Sequence, residues 1–421
     1  MKKMHIASVL PLLAVATSSA FAANVTTLGS FNAAVTGSTS YGTLSFDAAG
    51  NLYGTTSTGG TGGGGTIFQV TGAGVSPVVS FTGGADSGAY AGMTYDATTN
   101  TFYGTTRGNN SNATDGTVFA YTPGGSSVTT LHTFVSTASF GTEGSQLVGP
   151  VTLKNGVLYG TTQFGGSSVP SSSYGTLFTL SGTDKTTLTS LTGFAGSNGY
   201  YPTGKLSVDN AGNVFGTTIG NSSSTGSWGT AYQYSPTTAT ITTLTGFTRF
   251  SATGTTTRGG LVADSAGDLY GMTTVVSPFS TSPAIFKLSG ADHLTVTTLA
   301  TFNSATTGVP GLNYEELLMD AQGNLFGTSR TGGANNFGTV WMLAAGDTAI
   351  TTLYTFTNGT DGGTPAAGLA LRDGLLYGTT TTGGANGAGT VFSVAVPEPA
   401  SLAVLGLGAV GLLVRRRTTK A

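Results

Sequence analysis

One phrase, an aromatic residue followed by Gly, then Thr or Met, then Thr or Ser, recurs seven times along the 421-residue chain. It starts at Tyr53, Tyr103, Tyr159, Phe215, Tyr270, Phe326 and Tyr377, at intervals of 50, 56, 56, 55, 56 and 51 residues. A fixed period of this length means that one supersecondary unit is copied, and that each copy buries its apolar surface against the next. Five copies are preceded by an Asp turn, at Asp47, Asp96, Asp209, Asp264 and Asp320; the third and seventh use Lys154-Asn155-Gly156 and Arg372-Asp373-Gly374. Downstream lies Gly-Thr-apolar-aromatic, from Gly65 to Phe68 in the first copy and Gly389 to Phe392 in the last. The fifth copy departs here, with Pro283-Ala284-Ile285-Phe286. A Thr-rich segment ending in Phe closes the unit, as in Leu188 to Phe194, Ile241 to Phe247 and Val296 to Phe302.

Each unit therefore offers four strand candidates of about 4–7 residues, separated by Gly, Asn and Asp turns. The seventh copy lacks its last segment, and Val25-Thr26-Thr27-Leu28-Gly29-Ser30-Phe31 stands alone before the first. A linear stack gives no reason for that division. A closed ring does, because the N-terminal segment completes the last unit. Four-stranded sheets repeated around an axis make a β-propeller, and kelch-type units of about 50 residues have this length. The expected fold is all-β: a seven-bladed β-propeller over 23–395, closed by the N-terminal strand, with a β-solenoid as the alternative. In Val296 to Phe302, plain alternation places Val296 and Phe302 on one face and Leu299 on the other.

Composition narrows the chemistry. Charged residues make up 8% of the chain against roughly 25% in an average soluble protein, and 68 residues are Gly. So few charges argue against a solvated helical protein. The absence of Cys removes disulfides, thiol catalysis and Cys-ligated zinc.

Both ends read as addresses. Lys2 and Lys3 precede an apolar run from Ile6 to Ala16, and Ala20-Phe21-Ala22 supplies an A-x-A cleavage site, the pattern of a secretory signal peptide over 1–22. At the other end, Val396-Pro397-Glu398-Pro399 is followed by an uncharged apolar stretch, Ala400 to Val414, and by Arg415-Arg416-Arg417. A helix over 400–414 spans about 22 Å, which snorkelling arginines and local thinning fit to a bilayer. The arginines belong on the cytoplasmic side, so everything before them lies outside. This combination resembles the PEP-CTERM sorting signal of Gram-negative bacteria. The resemblance implies that 396–421 is a transient transmembrane anchor processed by an exosortase-type protease near Pro397, Glu398 and Pro399, and that the protein is exported to the envelope, cell surface or medium. Without these ends the body holds nine basic and 16 acidic residues, a net charge of −7. That balance argues against nucleic acid as a partner.

The repeats carry a second resemblance. Asp47-Ala48-Ala49-Gly50-Asn51-Leu52-Tyr53-Gly54-Thr55-Thr56, then Gly59-Gly60 and Gly65-Thr66-Ile67-Phe68, is similar to the GloVer-type tandem repeat of bacterial surface proteins with interchangeable anchors. It implies an exported, anchored protein and supplies no catalytic residue.

Candidate chemistry is sparse. The recurring Asp turns lack the alternating oxygen ligands and terminal Glu of a calcium loop, so each Asp is expected to cap its own turn. The Gly-rich run Thr58 to Gly65 has no following Lys or helix, which makes it a loop and not a phosphate cradle. His132 and His293 are too far apart for a metal spacing, and neither a cofactor nor a metal is expected. Glu143, Glu315 and Glu316 are the Glu residues of the body; Glu315-Glu316 reads as a solvated turn. In an up-and-down blade, the loops between the second and third strands share a face with the loops between blades. These are the divergent segments, and divergent loops on a rigid scaffold are where binding is usually located. The first set includes Arg107, Asn109, Asp115, Gln163, Phe164, Trp228, Arg330, Asn335 and Asn336; the second includes Asp86, Tyr90, Tyr200, Tyr201, Arg258 and Asp361. Arg107, Gln163, Phe164, Tyr201, Trp228 and Arg330 are the candidate ligand-binding residues, since aromatics mixed with amides and guanidinium groups suit sugar rings. Two functions follow: a non-catalytic surface binding or matrix protein that touches exopolysaccharide, or a secreted carbohydrate-active enzyme that uses the same loops.

Overall fold

The structure, a computed structural model, describes residues 24–108, 115–135, 143–166, 174–220, 227–248, 257–274, 283–311 and 315–397. The expected signal-peptide cleavage residues Ala20 and Ala22, the segment 400–414, and Glu398, Pro399 and Arg415 to Arg417 lie outside the described residues. Among those described, no helix is long and apolar enough to cross a membrane.

Seven antiparallel sheets form a seven-bladed β-propeller. Blade 1 is typical, with strands Ser45–Phe46, Leu52–Thr56, Thr66–Thr71 and Gly74–Ser80 paired in sequence order. Blade 7 takes Ala370–Arg372, Leu375–Thr382 and Thr390–Ala395 from the C-terminal side, and Val25–Ser30 as its outer strand. The pairing is antiparallel, from Val25 opposite Val394 to Ser30 opposite Thr390. The ring is thus closed by the N-terminal strand, as the divided repeat requires.

The repeated phrase is explained by three contacts. Its Gly lies opposite the aromatic of the third strand, as Gly54 lies opposite Phe68. A Cβ on Gly54, Gly104, Gly160, Gly271 or Gly327 would come within 2.4 Å of that ring. The first Thr reaches the next blade: Thr55 donates to the Ala91 carbonyl at 2.9 Å, Thr105 to Gly149 at 3.0 Å and Thr217 to Gly259 at 2.8 Å. Thr379 of blade 7 donates to Ser40 of blade 1 at 3.3 Å, across the junction of the chain ends. The second Thr ties the second strand to the third, with Thr56 and Thr66 hydroxyls 2.9 Å apart.

The core is a set of seven seams, one between each pair of neighbouring blades. In every seam the Phe that ends the fourth strand packs on the third-strand aromatic of the next blade. Phe81 meets Phe119, Phe134 meets Phe178, Phe194 meets Tyr232 and Phe302 meets Trp341, with ring centroids 4.9 to 5.5 Å apart. Phe31, from the N-terminal segment, meets Phe68 at 5.0 Å and supplies the seventh such pair. The expected alternation in the Thr-rich strands fails at this point. A β-bulge interrupts the register at Leu299, as at Leu131, Leu191, Leu244 and Leu353. The extra residue lets side chains three apart share a face, so Leu299 packs in the same seam as Phe302, not opposite it.

The Asp turns behave as turn caps. Asp47, Asp209 and Asp320 each accept the backbone N–H of the Asn four residues on at 2.8 Å and bind its amide with the other oxygen. The intervening Gly50, Gly212 and Gly323 have φ of 83 to 88°, the left-handed region that favours Gly. The Thr58–Gly65 loop is knit by backbone hydrogen bonds, Gly60 to Ala33 and Gly65 to Gly59, both 2.9 Å. Val25 and Ala395 both lie at the end of the propeller that carries the Asp turns, and the Val396 N–H donates to Gly374 in one of them at 2.9 Å.

Candidate functional site

On the opposite, loop-bearing end, the residue after each Thr-Thr pair stands at one structural rank but is of five types in seven blades: Ser57, Arg107, Gln163, Ile219, Thr274, Arg330 and Thr381. In four blades the backbone beneath them repeats. The N–H groups of Ser57, Arg107, Gln163 and Ile219 donate to Thr39, Gly88, Gln146 and Tyr201 at 2.9 to 3.2 Å. Each acceptor is left-handed, with φ of 61, 71, 58 and 56°. Such conformations are costly for a non-Gly residue and persist only where the surroundings enforce them. A strained, regular collar therefore carries a chemically irregular rim.

Two clusters stand on that rim. In the first, the Arg107 guanidinium lies 5.4 Å from the centre of the Tyr90 ring and donates to Gln146 Oε1 through Nε (3.1 Å) and Nη2 (2.9 Å). Tyr90 in turn stacks on Tyr41, with centroids 5.6 Å apart and planes at 11°. In the second, Phe164 lies 4.9 Å from Tyr201, and Tyr200 lies 4.3 Å from Tyr174. All but the buried Gln146 are partly exposed.

Inside the rim the first strand of each blade lines a channel. At one rank stand Thr43, Gly92, Pro150, Lys205, Gly260, Glu316 and Gly368. Two cavities of about 240 and 220 Å³ border Lys205 and Glu316 in common, which makes this pair the waist of the channel. The Thr43 hydroxyl donates to Glu316 Oε2 at 3.1 Å. Burial raises the Glu316 carboxyl, and Lys205 and that hydrogen bond oppose the rise.

Glu315 points elsewhere. At its rank the other blades carry Gly42, Ala91, Gly149, Gly204, Gly259 and Ala367, because a neighbouring backbone is close. Glu315 is 1% exposed, and its Oε1 accepts the Gly311 N–H at 3.1 Å. Oε2 has no hydrogen-bond partner, nor has the buried Nε of Arg258. Burial pushes the Glu315 carboxyl up to about 8, against the pull of the Gly311 N–H, Arg330 and Arg258. The expectation of a solvated Glu315-Glu316 turn is thus overturned for Glu315, which is buried, whereas Glu316 is partly exposed and faces the channel. Between pH 4.5 and about 8 the folded state holds the Glu315 proton that the unfolded chain has lost, so stability falls as pH rises through that window. We expect Glu315→Gln to shrink the fall in urea midpoint between pH 5 and pH 8.5, with the remaining slope owed partly to Glu316. Identical slopes in both proteins would exclude this origin.

Of the residues expected to bind ligand, Phe164 and Tyr201 meet, while Arg107 and Arg330 hold equivalent places on the rim beside Gln163. Trp228 is corrected: residue 228 belongs to the strand Ser227–Ser235, not to the loop before it, and its side chain lies outside the described residues, as does Asn109. Asp361 serves its own turn, accepting from Thr357 N, Gly359 N and the Tyr354 hydroxyl at 2.8, 3.1 and 2.9 Å. Asn335 donates to the Phe356 carbonyl at 3.1 Å. Tyr41, Gln146, Lys205 and the burial of Glu315 escaped the sequence reading; an alignment of the copies at a fixed offset before the Asp turn exposes Lys205 alone, as a charge at a rank of mostly small residues. A cavity of about 390 Å³ between blades 5 and 6, at the turn end, is lined by Asp264, Tyr270 and Lys287. Its charges are already satisfied, with Lys287 2.6 Å from Asp268 and the Tyr270 hydroxyl 3.0 Å from Asp264. Among the described residues no three His, Asp or Glu side chains converge for a metal.

Comparison with known families places these features. The Gloeobacter/Verrucomicrobia repeat matches residues 15–168, 114–319 and 310–405. The chain belongs to this repeat family. The PEP-CTERM protein-sorting motif matches residues 395–417, so this member of the Gloeobacter/Verrucomicrobia repeat family carries a sorting signal for export to the cell envelope or surface, with transient membrane anchoring. No curated protein matches it. Among solved structures the chain is similar to Kuenenia stuttgartiensis hydrazine synthase, at 11% identity over 87% of this chain and 99% of that one, with a TM-score of 0.53. It is similar also to a puromycin-hydrolyzing peptidase of Mycobacterium tuberculosis, at 10% identity and TM-score 0.53, over 89% of this chain but about half (54%) of the peptidase. A gluconolactonase from Xanthomonas campestris aligns at 12% identity over 89% and 90% of the two chains, with a TM-score of 0.44. At such identities the first two similarities, with TM-scores of 0.53, show the fold alone.

Proposed function

We propose that this exported surface repeat protein is a non-catalytic binding or matrix component that holds exopolysaccharide through the loop-bearing rim. Its mature body would be 23–395, after removal of the signal peptide at Ala22 and processing by an exosortase-type protease near Pro397-Glu398-Pro399. The observation that carries the binding reading is the rim itself, where a uniform collar presents residues that differ from blade to blade. Diversity confined to one end of an otherwise repetitive scaffold is what a recognition surface needs. The Phe164, Tyr200 and Tyr201 rings offer stacking faces, and Gln163, Arg107 and Arg330 offer hydrogen bonds to hydroxyls. Against catalysis stands the placement of Glu315 and Glu316. Glycoside hydrolysis needs two carboxyl groups flanking one bond, and these two face different spaces.

A glycan array and an exopolysaccharide pull-down with the propeller body test this. Phe164→Ser together with Tyr201→Asn, the latter chosen because Asn tolerates the left-handed backbone, should weaken binding roughly tenfold or more while the melting curve stays unchanged. Oligosaccharide released from the bound polymer would establish the enzymatic alternative instead.

A further inference from the structure

Glu315 is buried and Arg258 partly exposed, and each has a buried polar atom, Oε2 and Nε, with no hydrogen-bond partner among the described residues. Buried polar atoms almost always find partners, and each exception calls for an explanation. Here the exceptions are neighbours: a Cβ on Gly259, next to Arg258, would come within 2.2 Å of the Glu315 carbonyl oxygen, and Arg258 and Arg330 both act electrostatically on the Glu315 carboxyl. Gly311 fixes the geometry. Its N–H holds Glu315 Oε1, and a Cβ there would come within 2.6 Å of that oxygen and 2.9 Å of the Arg330 Cβ. Arg330 also reaches the field of Tyr41, opposing the rise that burial imposes on that phenol. Blade 7, between them, carries only the small residues Ala366, Ala367 and Gly368 at this level. Blade 5 carries Met272 where six blades carry the Thr of the phrase. Met cannot donate to the carbonyl of the next blade, and it precedes the one blade that has Glu at the small-residue rank.

We propose that Arg258, Arg330 and Glu315 form a socket for the carboxylate of a uronic acid residue, with the sugar ring resting against Tyr41. This rests on the glycan-binding reading above and narrows it to acidic polymers. Two guanidinium groups bind a carboxylate in the charge-assisted fork geometry that Arg favours. The free Glu315 oxygen donates a hydrogen bond to it while protonated, which neutralises the otherwise unfavourable meeting of two acids. Arg258 Nε gains the acceptor it lacks.

The test uses the exported protein purified from the envelope of expressing cells. It is titrated with oligogalacturonate, with the same oligomer after its carboxyl groups are reduced to alcohols, and with free galacturonate. The acidic oligomer should bind at least tenfold tighter than the reduced one at pH 6.5. Competition by free galacturonate supports the socket as well, and its strength relative to the oligomer tells whether a polymer or a small acid is preferred. Arg258→Gln should cut the affinity for the acidic oligomer about tenfold and leave the reduced oligomer unaffected, and Arg330→Gln should cut the affinity for the acidic oligomer several-fold more than that for the reduced one. Glu315→Gln should keep the affinity at pH 6.5 and abolish the weakening that the unaltered protein shows above pH 8, a change that a purely structural role would not produce. Equal affinity for acidic and reduced oligomers overturns the socket while leaving the rim as a binder of neutral glycans. No binding to any polysaccharide overturns both.

Discussion

Deleting residues 25–31 should open the ring and cost more stability than any single substitution. The segment supplies the outer strand of blade 7, with five registered pairs to Thr390–Ala395. It also supplies Phe31, which is fully buried among Leu44, Leu52, Phe68 and Val391. Emptying a Phe site costs about 3–5 kcal/mol, and each lost backbone hydrogen bond adds about 1 kcal/mol. The total exceeds about 5 kcal/mol, a large fraction of the stability of an ordinary domain. The deletion also removes the Asn386 amide bond to Phe31 (3.0 Å) and the Ala385 bond to Ser30 (3.1 Å), which tie the last loop to the first strand. A bare edge along Thr390–Ala395 is a template for pairing with another chain. We expect a lower urea midpoint and concentration-dependent association in size-exclusion chromatography. A truncated protein that melts like the intact one and stays monomeric would mean that the ring does not depend on this strand.

The second large effect is expected from Phe178→Ala. Phe178 is fully buried, covers Gly160 on its own sheet, and meets Phe134 of the preceding blade at 5.0 Å. Truncation leaves a cavity that Gly160 cannot fill, so both the strand pair and the seam lose contacts, at a cost of about 3–5 kcal/mol. The exposed Val296→Ala provides the control, with a change within about 0.5 kcal/mol. Since repeat arrays lose stability locally when one interface is weakened, hydrogen exchange should rise first in blades 2 and 3. Uniform acceleration around all seven blades would show that the ring melts only as a whole.

Much of this architecture was legible because the period, the turn residues and the displaced Val25 to Phe31 segment are properties of spacing alone. Leu299 was misassigned because a bulge adds a residue without leaving a mark in the hydrophobic pattern; three-residue spacing between Leu and Phe is its only trace. Glu315 and Glu316 read as a polar turn since adjacent acids ordinarily seek water. Only the fold shows that Glu316 faces the channel and that Glu315 is buried against the Gly311 N–H. Arg107, Gln163 and Arg330 could be selected in advance, because they vary at a place where the surrounding phrase does not. Tyr41 could not, as its partner Tyr90 comes from another copy.

The position of the two chain ends sets how the molecule is displayed. Val25 lies opposite Val394, and Val396 is bonded to the turn at Gly374, so the sorting segment departs from the end bearing the Asp turns. During anchorage that end stands over the bilayer, and Asp47, Asp96, Asp209, Asp264, Asp320 and Asp373 confront the headgroups. Strands of six or seven residues put the rim about 20 Å beyond, facing the exterior like the top of a drum on a short stem. Acidic turns discourage the drum from tipping onto anionic lipid. Cutting the stem then alters neither the collar nor its orientation relative to the blades, so the same surface meets its surroundings before and after release.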